Sequence, residues 1–77
     1  MTRRREYIRS IARQLLQEED LYDRDGCLNS DGRKLLNLLI RQAAEEKPWL
    51  TRAAQKARRN PCREEVARLI ARILEEV

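Results

Sequence analysis

A chain of 77 residues makes one small domain, and a domain of this size buries only about 60% of the surface its unfolded chain exposes, so a deep catalytic cleft is hard to build. Hydrophobic residues make up 42% and charged residues 39%, with two Gly, two Pro, two Cys, no Phe and no His. This composition excludes a disordered chain, a strand-rich fold, a Cys/His zinc site and a Cys–His nucleophile. The net charge is +4, and 14 of the 17 basic residues are Arg, which suits bidentate contact with phosphate or carboxylate, although GC-rich codon usage enriches Arg as well.

The sequence predicts an all-α fold of four helices over about 3–19, 31–46, 48–59 and 61–76, packed around the second and fourth. In the first, Tyr7, Ile8, Ile11, Ala12, Leu15 and Leu16 recur at three- and four-residue spacing, Thr2 is placed to cap, and Arg9 and Arg13 lie opposite. The pattern stops at Glu18-Glu19-Asp20. An acidic loop follows, in which Asp25-Gly26 signals a turn, Asn29 or Ser30 can cap the next helix, and Asp31 complements that helix's positive end.

The second helix is apolar over more than half its circumference, through Leu35, Leu36, Leu38, Leu39, Ile40, Ala43 and Ala44. Lys47-Pro48 ends it, and Pro48 can open the third. There Trp49, Leu50, Ala53, Ala54 and Ala57 form the expected packing face, with Trp49 as its anchor, while Arg52, Lys56 and Arg59 form the other face. Asn60-Pro61 repeats the punctuation, with Asn60 expected to cap the fourth helix and Pro61 to sit in its first turn. Cys62, Val66, Leu69, Ile70, Ile73, Leu74 and Val77 give that helix its apolar stripe, which makes Cys62 an expected buried thiol.

Charge is uneven along the chain. Residues 17–31 hold six acids against Arg24 alone, whereas residues 48–63 hold Arg52, Lys56, Arg58, Arg59 and Arg63 and no acid. An uncompensated basic stretch commonly meets something anionic. The candidate nucleic-acid or anionic-partner residues are therefore Arg3, Arg4, Arg5, Arg52, Lys56, Arg58, Arg59 and Arg63, with nucleic acid the first choice of partner and an acidic protein surface the other. A helix-turn-helix over residues 49–74 fits poorly, because its recognition helix would start with Glu64-Glu65 facing the phosphates.

Asp23-Arg24-Asp25-Gly26-Cys27-Leu28 resembles the middle of an EF-hand loop, but the register puts Leu21 and Gly32 at the two end ligands, so no metal is assigned. Leu35-Leu36-Asn37-Leu38-Leu39 matches LxxLL and reads as core. No paired-carboxylate constellation, Gly-rich phosphate loop or Ser-His-Asp set is present, so the chain is read as a non-enzymatic regulatory module without a cofactor.

The alternative is an adaptor or inhibitor, homodimeric in one version, that uses apolar surface of the second helix, with exposure of Leu38 as its mark. The N-terminus lacks an apolar h-region and no apolar run is long enough to cross a bilayer, so a cytoplasmic protein with no membrane partner and with reduced thiols at Cys27 and Cys62 is expected, a Cys27–Cys62 disulfide being the alternative.

Overall fold

The computed structural model describes the backbone of residues 2–76 and the side chains of residues 5–75. It is all-α, with α1 at Thr2–Gln17, α2 at Ser30–Glu46, α3 at Thr51–Arg59 and α4 at Arg63–Glu76. Short 3₁₀ turns at Glu19–Leu21 and Pro48–Leu50 precede the α1–α2 loop and α3. Both α1 and α3 pack against α2 and α4. No helix among the described residues is long and apolar enough to cross a membrane.

The predicted apolar faces supply the core: Ile8, Ile11 and Leu15 from α1, Leu36 and Leu39 from α2, Val66, Leu69, Ile70 and Ile73 from α4. Each of these side chains, once buried, contributes about 1.5–3 kcal/mol relative to exposure, before entropy is subtracted. From α3 only Ala54 and Ala57 are buried, joined by Leu50 of the preceding 3₁₀ turn. The two alanines let the helix approach its neighbours closely. Trp49 is 61% exposed, and Leu50 takes the core position expected of it. The turn of Pro48–Leu50 is 3₁₀, with three residues per turn, which shifts Trp49 out of line with the α3 stripe.

Tyr7, Leu16 and Leu74 likewise lie outside the core that their spacing suggested. They sit at the edges of the α1 and α4 stripes, where the central residues already fill the contact. Conversely, Leu35 and Leu38 are half-buried against the core, and no large hydrophobic of α2 is exposed.

The acidic loop is an ordered element in its own right. Tyr22 and Leu28 pair across it, and both are buried. Gly26 adopts φ +80°, a left-handed conformation that glycine takes without a Cβ penalty, at the turn the Asp-Gly pair signals. The Asp23 carboxylate accepts from the backbone N–H of Asp25 and Cys27 at 3.0 and 3.2 Å, so this EF-hand-like segment directs its first carboxylate to its own turn. Asn29 caps α2, its Oδ1 accepting from Gly32 N–H at 2.9 Å, while its Nδ2 donates to the Asp20 carbonyl at 2.7 Å. Gly32 is needed for close approach, since a Cβ there would stand 2.5 Å from the Leu21 carbonyl oxygen and 2.6 Å from Leu28.

Two expectations at the α3–α4 junction are corrected. Asn60 is the C-terminal cap of α3, its N–H donating to the Lys56 carbonyl, and α4 begins only at Arg63, so Pro61 lies outside it. Cys62 is not a buried thiol. It is half-buried, bonded to Cys27 in a disulfide, and pairs with it across the backbone. Leu28 N–H donates to the Pro61 carbonyl at 2.8 Å and Arg63 N–H to the Gly26 carbonyl at 2.9 Å, so the loop is stitched to the junction on both sides of the disulfide.

Candidate nucleic-acid interface

The five cations of residues 48–63 do not share one surface. Arg52 and Lys56, one helical turn apart on α3, line a groove of about 480 Å³ between α3 and α4. Arg68 and Arg72, again one turn apart, line the same groove from α4, and Trp49 adds its exposed indole. Ala53 and Leu69 give the groove an apolar floor. The Lys47 ammonium lies 5.6 Å from the Trp49 ring centroid, within cation–π range.

Glu65 is the one acid lining this groove, and Arg68 engages it at 3.3 Å and Glu64 at 3.1 Å. Among the described residues no salt bridge neutralises Arg52, Lys56 or Arg72. Arg52, Lys56 and Arg72, gathered across one helical hairpin beside the ion-paired Arg68, repel one another, a cost that bound anions would offset.

Arg58 points the other way. Its Nε donates to Asn37 Oδ1 at 3.1 Å, and it lines a second groove of about 450 Å³ with Arg33, Arg41 and Pro61 along α2. Arg59 is exposed and lines neither groove.

Arg63 is committed to the acidic loop. Its guanidinium carbon stands 4.2 Å from the Tyr22 ring centroid, and its Nη2 lies 3.5 Å from Glu19 Oε1. The Tyr22 hydroxyl donates to the Leu15 carbonyl at 2.6 Å. Burial pushes that hydroxyl's pKa above its ordinary value; the Arg63 guanidinium draws it back and the Glu19 carboxylate adds to the rise. Arg5 is exposed on α1, and the side chains of Arg3, Arg4 and the expected cap Thr2 lie outside the described residues.

Arg68 and Arg72 escaped the sequence reading because residues 64–77 carry net negative charge. The signal was present in the spacing: the acids Glu64, Glu65, Glu75 and Glu76 sit at the ends of α4, and the two arginines stand together in its middle. Comparison with protein families, with curated proteins and with solved structures finds no match to this chain, so the reading rests on its own geometry.

Proposed function

We propose that this chain is a non-enzymatic binding module that holds nucleic acid through the groove between α3 and α4. The observation that carries the reading is the facing of two cation pairs, Arg52 with Lys56 and Arg68 with Arg72, over an apolar floor with Glu65 as the single acid. Cations placed in this way neutralise phosphates and release their counterions, which gives sequence-independent affinity. Arginine forks add bidentate contacts to phosphate oxygens. The second groove, with Arg33, Arg41 and Arg58, extends the same chemistry to the opposite flank of α3, whereas Arg63 is withdrawn from it by Glu19 and Tyr22.

The measurement is binding of labelled oligonucleotides at low salt, followed by anisotropy. Wild type binds with an affinity that falls linearly with salt on a log–log scale, and Arg52→Glu with Lys56→Glu abolishes binding while the helical circular dichroism is unchanged. Undiminished binding by that variant, or no binding by wild type, contradicts the reading.

A second reading, a homodimer or protein adaptor, is favoured by Leu16 and Leu74, which are 42% and 38% exposed and line one shallow depression with Arg9 and Arg13. A solution mass twice that of the monomer, reduced to one by Leu74→Lys, is what it requires. The proposed cytoplasmic setting bears on the loop rather than the groove, since a reducing compartment works against the Cys27–Cys62 bond.

A further inference from the structure

We infer that the nucleic acid taken by the α3–α4 groove is single-stranded, with Trp49 as the platform on which a base stacks. The inference rests on the nucleic-acid reading above and deepens it. In a domain with a thin core, the chain's single Trp would be its largest contribution to burial, yet it is 61% exposed at the mouth of the basic groove.

A flat aromatic surface beside a row of cations is the arrangement by which single strands are held: the base stacks and the groove tracks the backbone. The Lys47 ammonium, over the ring at 5.6 Å from its centroid, adds a further cation beside the indole. Within each cation pair the separation along the helix is about 6 Å. That is of the order of the spacing between successive phosphates in a strand whose bases are unstacked.

A duplex fits this surface poorly. It is read by a protruding helix or ribbon set into its major groove, whereas here the cations line a concavity. The α4 N-terminus, which could protrude, carries Glu64 and Glu65 and is tied to the loop through the Arg63–Gly26 backbone bond and the disulfide at Cys62.

Because Trp49 is the only Trp, its fluorescence reports the site directly. The full chain is titrated with a twelve-nucleotide oligo(dT), with oligo(rU) of equal length, with a twelve-base-pair duplex and with a poly-glutamate peptide. Binding is read by anisotropy of the labelled probe and by Trp emission. Single strands are expected to quench Trp49 and to bind at least about tenfold more tightly than duplex, while Trp49→Ala lowers single-strand affinity about 5- to 150-fold and Trp49→Phe recovers most of it. Neutral replacement, Arg52→Ala with Lys56→Ala, is expected to leave weakened binding whose log–log salt slope is lower by about 1.4.

Duplex binding as tight as single-strand binding, or single-strand binding with unchanged Trp emission, overturns this inference and leaves the nucleic-acid reading standing. Quenching by poly-glutamate alone overturns both in favour of an acidic protein partner. No binding of any oligonucleotide at low salt removes the underlying reading itself.

Discussion

The acidic loop and the basic hairpin are the two charge extremes of this chain, and the fold treats them oppositely. Residues 17–31 leave their carboxylates in solvent and close the chain on itself: Asp23 bonds its own turn, Asn29 clamps the ends of the loop, and Tyr22 and Leu28 enter the core. Residues 49–56 and 68–72 instead gather their cations around a groove with one acid in its wall. The two regions meet at one end only, where Glu19 reaches Arg63 and Cys27 joins Cys62. Opposite net charges in sequence thus meet in space at a single ion pair among the described residues, Glu19 with Arg63, while Asp23 bonds its own turn and the other acids of the loop stay exposed.

If the loop is structural and the groove functional, perturbations should separate cleanly. The largest effect belongs to the disulfide. Its cysteines are 35 residues apart, and Cys27→Ser with Cys62→Ser should cost about 3–4 kcal/mol of stability in denaturant unfolding, by freeing the unfolded chain. The folded fraction should still bind oligonucleotide with unchanged affinity; a lost groove affinity in the folded variant would break the separation.

Next is Tyr22→Phe, which leaves the Leu15 carbonyl without its buried donor and should cost about 1 kcal/mol. The same residue gives a pH signature. Because its folded pKa is raised above the ordinary value near 10, its contribution is fully present below about pH 10 and is lost as pH rises through the folded value. Unfolding measured from pH 8 to 11 should show that decline in wild type and a shallower one in Tyr22→Phe.

The smallest effect on stability should come from the groove. Arg52→Glu with Lys56→Glu should shift unfolding by no more than about 0.5 kcal/mol, since both side chains are exposed. A clearly destabilised variant would mean that the groove also holds the fold together.

Much of this architecture was legible in the sequence, because helical spacing is a local signal. Ile8, Ile11 and Leu15, or Val66, Leu69 and Ile73, announce their faces without knowledge of the partner. The loop was legible only as a turn. Asp25-Gly26 and Asn29 are short-range signals, but burial of Leu28 and pairing of Cys27 with Cys62 depend on contacts some thirty-five residues apart, which no single-chain pattern encodes. The groove was half legible. Arg52 and Lys56 stood out, whereas Arg68 and Arg72 were masked by acids at the ends of α4, and Trp49 reads as core wherever hydrophobicity alone is weighed.

The most direct test of the account is a ¹H–¹⁵N NMR titration of the full chain with single-stranded oligonucleotide at low salt. The account predicts shift changes concentrated on residues 47–56 and 65–72, including the Trp49 indole N–H, with residues 19–31 unmoved. A spectrum that does not change, or one whose changes centre on the acidic loop, would contradict it.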